Sequence, residues 1–549
     1  MEQAKKTVVI GGVAGGASCA ARLRRLDESA EIVMVERGPY ISFANCGLPY
    51  HISGTIAKRS SLLVTTEEKF TSRFQTRVLS ETEAVRILRE KSAVILRDRK
   101  SGREWEESYD HLVLSPGGEP IRPPLPGIDL DGVFVMRSIP DLDRIMTFLT
   151  ERAAKRATVI GGGFIGLEAA ENLRERGLDV TIIEKAPQVM PIFDGEMAAL
   201  LKQELSRHGI QTRLSVGIAG VEKSGDALLV QLDDRTSLET DIVILSIGVR
   251  PEVQLAKDAG LKLGPQGGIA VDTEMRTSDA KIFAVGDAVE AYSRVTETYQ
   301  RVPLAGPANR QGRMVADAIA GRRVQYPGTL GTSIVKVFSL AAASVGLTEK
   351  QAKQNKVKHE VAWIHGRSHA SYYPNAKPMT LKAVFSPDDG RILGAQVVGE
   401  DGVDKRIDVL ATAVAAKMTV YDLEWLDLAY APPFSSAKDP VNHLATVAAN
   451  MLRGDHPTIR WDEIGRTNSQ LVDVRTPEEY AKGTIPGAVN IPVDGLRNRL
   501  RELKKDQPIE LFCAEGLRGY LAVRILNQNG FNARNMLGGI KLWQAALAQ

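Results

Sequence analysis

The chain has 549 residues, 43% of them hydrophobic and 25% charged, which is ordinary globular material and enough for about three to five domains. A net charge of only +3, with no long basic run, leaves no electrostatic footprint for a nucleic-acid partner. The N-terminus passes at once into Thr7-Val-Val-Ile10 and glycines, without the features of a signal peptide, and no apolar run approaches the roughly 20 residues of a membrane helix. A soluble, cytoplasmic protein without a membrane partner is therefore expected. The three cysteines, Cys19, Cys46 and Cys513, have a spacing that suits neither a disulfide framework nor a zinc site. No metal is expected, and any cysteine that matters should be chemical.

Residues 7–36 read as strand, Gly-rich turn, helix and strand, the pattern of a dinucleotide-binding βαβ unit. The turn is Gly11-Gly-Val-Ala-Gly-Gly16, with Val13 at the middle glycine of the usual G-x-G-x-x-G, and the second strand ends at Glu36. Such a turn lets the backbone and a helix N-terminus meet a pyrophosphate, while a carboxylate at the strand end can hold ribose hydroxyls. The cofactor set of this unit is Gly11, Gly12, Ala14, Gly16, Glu36 and Arg37. Ser18, Arg22 and Arg25 fall at i, i+4 and i+7 of the first helix, on one face that either receives a phosphorylated ligand or is simply solvated.

Next comes Ser42-Phe-Ala-Asn-Cys-Gly-Leu-Pro-Tyr50, with one cysteine where a short helix can begin. Helix N-terminal N–H groups lower a thiol pKa from about 8.5 toward roughly 3.5–7.5, which predicts an anionic nucleophile at Cys46. The dinucleotide grammar returns at 158–184 with every fingerprint glycine present, giving Gly161, Gly163, Gly166 and Glu184 as a second cofactor set. Glu184 favours NADH by accepting a 2′-hydroxyl, while the adjoining Lys185 leaves NADPH open.

The stretches ending at Gly117, at Gly248 and at Gly286-Asp287, taken with the two βαβ units, resemble the two-dinucleotide flavoprotein disulfide reductases. That resemblance implies an α/β, Rossmann-like flavoprotein with FAD held by a discontinuous domain (1–149 and 246–328) and Asp287 at its ribityl chain. It also implies a nicotinamide domain at 150–245 and an α+β interface domain at 329–450 that forms a homodimer. The usual Cys-x4-Cys pair is reduced here to Cys46 alone, and the Ser-Phe-x-Asn-Cys-Gly-Leu-Pro-Tyr stretch resembles the coenzyme A-disulfide reductase group. By that resemblance Ser18, Arg22, Arg25, Ser42, Asn45, Asn309 and Lys438 match CoA-contacting positions. Tyr372 and Tyr430 match tyrosines brought toward the substrate sulfur from a partner subunit, with Tyr373 able to replace Tyr372. Two departures weaken the match: Asn309 stands where the group may have His, and Phe74 stands near an expected basic residue.

After Asp439, a helix is predicted from Pro440 to about Leu452, followed by a linker at 451–462. From 463 to 549 the chain resembles rhodanese domains in the order of its motifs, through Leu471-Val-Asp-Val-Arg475 to the loop Cys513-Ala-Glu-Gly-Leu-Arg518. Loop N–H groups converging on Cys513 can stabilise thiolate or persulfide, with Arg518 as a nearby cation. Thr484 departs from the family, where His is frequent. The combined expectation is an FAD- and NAD(P)H-dependent reductase of CoA persulfide, polysulfide or CoA disulfide, with Cys513 relaying sulfane sulfur. Two rivals remain: an NADH peroxidase or oxidase working through a Cys46 sulfenate, and a sulfur-responsive binding protein with little turnover.

Overall fold

The computed structural model describes residues 5–547. The chain divides into two compact units, residues 1–185 with 210–331, and residues 186–209 with 332–549.

The first unit is built on two five-stranded parallel sheets of the same design. In one, the order is Ile282–Ala284, His111–Leu114, Lys6–Ile10, Glu31–Val35 and Arg77–Leu79. In the other it is Gln211–Leu214, Asp179–Glu184, Arg156–Ile160, Ile242–Leu245 and Val133–Val135. The central strands are near-continuous apolar runs, as strands covered on both faces must be; Val8, Val9, Val33 and Met34 have no exposed surface. In each sheet the strand order reverses beside the first strand, and it is outside the carboxyl ends at such a reversal that open α/β sheets bind their ligands. The first sheet takes its last strand from residues beyond the second sheet, so this domain is discontinuous. The chain's outward and return crossings, Gly118–Pro120 and Val249–Pro251, pair with each other as a two-stranded antiparallel ribbon.

The second unit holds an antiparallel sheet in the order Ser333–Val337, Leu340–Gly346, Ile392–Gly399, Pro378–Phe385 and Glu360–Arg367. The helix predicted after Asp439 runs Pro440–Leu452, and the Asp439 carboxylate accepts the Val441 N–H at 2.9 Å as its cap. A separate parallel sheet follows, in the order Thr458–Ile459, Ala533–Met536, Ile509–Phe512, Gln470–Asp473 and Val489–Asn490. The strand Thr458–Ile459 lies inside the stretch read from the sequence as linker; it is too short to show a period.

Residues 186–209, within the stretch read as nicotinamide domain, cluster with the second unit, and a buried ion network is the reason. Lys382 has no exposed surface and meets Asp194 at 2.8 Å, Glu349 at 2.7 Å and Glu196 at 2.5 Å. Burial alone would favour the neutral amine, but the three carboxylates outweigh it and hold the ammonium protonated far into the alkaline range. The carboxylates form a cluster of metal-ligand type, yet an ammonium already fills it. Removing one partner of a buried pair leaves uncompensated charge. Lys382→Met is therefore expected to lower stability by about 3 kcal/mol or more, read from urea unfolding against wild type; a loss within experimental error would show that these carboxylates are not held by Lys382.

Candidate active site

The first Gly-rich turn is fixed by backbone contact. Gly11 has φ +100°, and a Cβ there would lie 2.0 Å from the Ser115 carbonyl oxygen; a Cβ on Gly16 would lie 1.8 Å from that of Gly11. Glu36 accepts the N–H groups of Gly12 and Gly38, each at 2.8 Å, so its carboxylate is locked at the strand end. Val13, in place of the middle glycine, forms the N-cap of the helix Ala14–Arg24 without disturbing it. The second turn repeats the design: Gly161 has φ +106°, a Cβ on Gly166 would lie 1.9 Å from the Gly161 carbonyl oxygen, and Glu184 accepts the Gly162 N–H at 2.7 Å. A Cβ added at Gly163 meets nothing within 4 Å, leaving that side of the turn open for a ligand's approach. Gly117, Gly248 and Gly286 all take positive φ. Asp287 follows in a short turn, and burial pushes its carboxyl up against the opposing pull of Arg137. The Arg37 guanidinium is engaged by Glu252 through two hydrogen bonds of 2.8 and 3.0 Å.

Cys46 is exposed, in the single turn Asn45–Gly47 ahead of the helix Leu48–Ile52. The predicted lowering of its pKa does not hold. Protein packed around the sulfur, then the carboxylates Glu168 and Asp287, push the thiol up, and a helix of five residues offers too little dipole to reverse them. Cys19, by contrast, is a buried core residue whose thiol is pushed up to about 12 by burial.

Two residues that sequence reasoning missed complete this site. The Tyr50 hydroxyl donates to Glu168 at 3.1 Å, and Ser53 donates to Asn172 at 2.6 Å. Arg176 donates to the carbonyl of Ile52 at 2.9 Å. These bonds tie the Cys46 segment to the helix Phe164–Glu175 that follows the second Gly-rich turn. Burial, with Glu171 adding to it and Tyr50 opposing, raises Glu168 to about 7. A position four residues after Cys46 and a glutamate two residues after Gly166 were the only sequence signals available.

The proposed CoA positions fall in both units. In the first, Ser18 donates to Asn309 at 2.5 Å across two helices that meet closely: a Cβ on Gly312 would lie 2.0 Å from the Gly15 carbonyl oxygen. Arg22 is paired with Asp317 at 2.8 Å, while Arg25 is exposed. Ser42 has φ 44° and donates its N–H to the Gly12 carbonyl, and Asn45 donates to the carbonyl of Arg137. In the second unit, the Tyr372 and Tyr430 hydroxyls are 2.6 Å apart, both residues exposed, and Lys438 is exposed nearby in sequence.

The second sulfur site lies wholly within the second unit. Cys513 follows the strand Ile509–Phe512, and its sulfur accepts the Gly516 N–H at 3.0 Å. Arg518, read from the sequence as a nearby cation, is engaged by Glu479 at 2.6 and 2.7 Å, which draws that carboxyl down to about 2. Thr484 donates to Asp473 at 2.8 Å, in the buried pair that Asp473 makes with Arg475.

Two Gly-rich cradles at sheet switch points and an accessible single cysteine define a flavoprotein-type reductase. The chain belongs to the pyridine nucleotide-disulphide oxidoreductase family, whose model matches residues 5–312. The family's dimerisation domain matches residues 332–440 and a rhodanese-like domain residues 457–546. A coenzyme A disulfide reductase of Staphylococcus aureus is 36% identical over 438 residues, 80% of this chain and 98% of its own. The crystal structure of reduced Bacillus anthracis CoADR-RHD is 49% identical with a TM-score of 0.97, covering 99% of this chain and 98% of that one. A NAD-dependent persulfide reductase from A. fulgidus is 38% identical with a TM-score of 0.92, covering 98% of this chain and 100% of that one. The family implies FAD and a nicotinamide dinucleotide, and the two cradles suit two dinucleotides.

A raised carboxyl has a definite signature. Glu168 favours the folded state while protonated, so its contribution is complete below its ordinary value of 4.5 and is lost as pH rises through about 7. Glu168→Gln is expected to flatten the fall in thermal midpoint between those pH values and to speed iodoacetamide alkylation of Cys46 at neutral pH, by removing a like charge. An unchanged pH slope with unchanged alkylation would place Glu168 outside the site's electrostatics.

Proposed function

We propose that the protein is a cytoplasmic, homodimeric, FAD- and NADH-dependent reductase of CoA persulfide, polysulfide or CoA disulfide, in which the C-terminal domain relays sulfane sulfur. The observation that carries this reading is the presence of two separate sulfur centres, Cys46 and Cys513, each a free cysteine and each set among groups that act on sulfur charge. Relatives that carry both domains over nearly their whole length, one of them a persulfide reductase by name, support the same reading.

FAD would be held by Gly11, Gly12, Ala14, Gly16, Glu36 and Asp287, with Gly117, Gly248 and Gly286 giving turns that let the backbone close on it. NADH would be held by Gly161, Gly163, Gly166 and Glu184, and the carboxylate of Glu184 disfavours a 2′-phosphate. When bound, these two cofactors deliver an electron pair to sulfur. The protein's own residues do the rest. The Cys46 thiolate attacks one sulfur of the substrate, forming a mixed disulfide and expelling the other sulfur as thiolate or hydrosulfide. Two electrons then return Cys46 to thiolate and free the CoA thiol. With a persulfide the sum is CoA-SSH, NADH and a proton giving CoA-SH, hydrogen sulfide and NAD+. Tyr372 and Tyr430, reaching the site from the second subunit of the homodimer, serve through their O–H groups as hydrogen-bond donors to the leaving thiolate. Ser18, Arg22, Arg25, Ser42, Asn45, Asn309 and Lys438 hold the CoA moiety, which requires Arg22 to exchange Asp317 for phosphate. Cys513 carries sulfane sulfur as a persulfide, its charge stabilised by the Gly516 N–H and by the Arg518–Glu479 pair beside it.

The test is anaerobic NADH oxidation by FAD-loaded protein with CoA persulfide, CoA disulfide, polysulfide or peroxide. Wild type should release sulfide from persulfide and polysulfide. Cys46→Ser should lose at least ~10³-fold in turnover with every sulfur substrate, while Cys513→Ser should slow polysulfide selectively and spare CoA disulfide. Turnover with peroxide alone would identify a peroxidase, and equal polysulfide rates in Cys513→Ser would remove the relay.

A further inference from the structure

The segment that enters the C-terminal module is unusually well tied. Where the helix Pro440–Leu452 ends, the N–H groups of Asp455 and His456 both donate to the Asn450 carbonyl, at 2.9 and 3.1 Å, and turn the chain. Asp455 holds Arg524 through its backbone carbonyl at 2.9 Å and its carboxylate at 2.7 Å. Thr458 then pairs with Asn535 in the parallel sheet, and the Asn535 N–H donates to the Pro457 carbonyl at 3.0 Å.

These contacts bring His456 against Asn535, and both are buried, at 5% and 0% exposure. The Asn535 side-chain amide nitrogen lies 3.0 Å from Nε2 of His456 and 3.2 Å from the carbonyl oxygen of Gly516. A carbonyl only accepts, so the –NH2 end of Asn535 must face Gly516, and its second hydrogen is left for Nε2. His456 therefore accepts at Nε2 and carries its own proton on Nδ1, a neutral tautomer. Burial favours that neutral form and presses the imidazole pKa down to about 4. The ring packs edge-on to Tyr520, with centroids 4.7 Å apart. The amide also lies hard against the first turn of the helix Leu517–Gln528, because a Cβ on Gly519 would be 2.0 Å from Asn535 Oδ1.

Gly516 is the hinge of the sulfur loop. Its φ is +124°, a conformation L residues rarely adopt, and its N–H donates to Cys513 Sγ at 3.0 Å. Its N–H is thus committed to sulfur and its carbonyl to Asn535. If Nε2 were absent, one hydrogen of a fully buried amide would lose its partner, and Asn535 would turn toward another acceptor and release Gly516. Arg518 is a charged group that faces Cys513, and its guanidinium is engaged by Glu479 rather than by Gly516.

We propose that His456, outside the sulfur loop and at the junction with the interface domain, is a positioning residue that sets the Gly516 N–H on the Cys513 sulfur through Asn535. This builds on the reading that Cys513 carries sulfane sulfur, and it links the conformation of the junction to the readiness of the persulfide site.

The experiment uses full-length, FAD-loaded protein with thiosulfate as sulfur donor and cyanide as acceptor, beside NADH-driven reduction of CoA disulfide. His456→Ala is expected to lower the transfer kcat about five- to tenfold with KM for thiosulfate little changed, the effect of one buried donor left unpaired. His456→Gln, whose side-chain oxygen can accept in place of Nε2, should recover most of the rate, and CoA-disulfide reduction should be unaffected in both. In wild type, imidazole ¹⁵N resonances should show His456 with its proton on Nδ1 at neutral pH. Full transfer by a folded His456→Ala variant, failure of His456→Gln to rescue, or a proton on Nε2 would each overturn the assignment. Should His456→Ala not fold, the Gln variant and the wild-type tautomer still decide it. A wild type that transfers no sulfur from thiosulfate would count against the sulfur-carrying reading of Cys513, while the tautomer would still decide the role of His456.

Discussion

The arrangement of the first unit rests on one steric contact made twice, the approach of a glycine α-carbon to the carbonyl of the glycine that opens the same turn. Gly16 on Gly11 and Gly166 on Gly161 leave less than 2 Å for any Cβ, so each helix starts directly against its strand. From that contact follow the capture of Gly12 by Glu36 and of Gly162 by Glu184, and the placing of both cradles at the carboxyl ends of parallel sheets. The Cys46 segment is positioned in turn by its bonds to the helix that the second of these turns begins.

Charge is handled in opposite ways at the two sulfur centres. Near Cys46 stand two carboxylates, Glu168 raised to about 7 and Asp287 also raised, and both resist a thiolate. That environment ties the charge on Cys46 to the protonation of Glu168. Around Cys513 the sulfur instead accepts a fixed N–H, and the nearby guanidinium is neutralised by Glu479. The charge at the first site changes with pH near neutrality; the second holds its sulfur with a fixed backbone donor.

The likeness to two-domain relatives over nearly the whole chain gives the fused architecture a context, but the coupling within it is visible in individual bonds. His456 and Asn535 join the junction to the sulfur loop, and His365, on the strand Glu360–Arg367, reaches the carbonyl of Gly538 at 2.9 Å. The next residue, Gly539, lies against the carbonyl of Ala514 in that same loop. The interface sheet and the C-terminal module therefore share a hydrogen bond one residue from a glycine that packs on the sulfur loop.

Both Gly-rich βαβ units, the Asp439-capped helix and the loop that follows the strand ending at Phe512 were legible in the sequence, because each depends on local rules: glycine where no Cβ fits, apolar runs for buried parallel strands, a capping carboxylate before proline. What only the tertiary structure decided is which charges and dipoles face each other. Arg22 with Asp317, Arg37 with Glu252, Tyr50 with Glu168 and Arg518 with Glu479 are pairs from remote segments, and so is the network that brings residues 186–209 to Lys382. The thiol expected to be acidic from its helix start is raised instead, because the field at a sulfur is set by whatever groups folding brings within a few ångströms, and sequence spacing records only those on its own element.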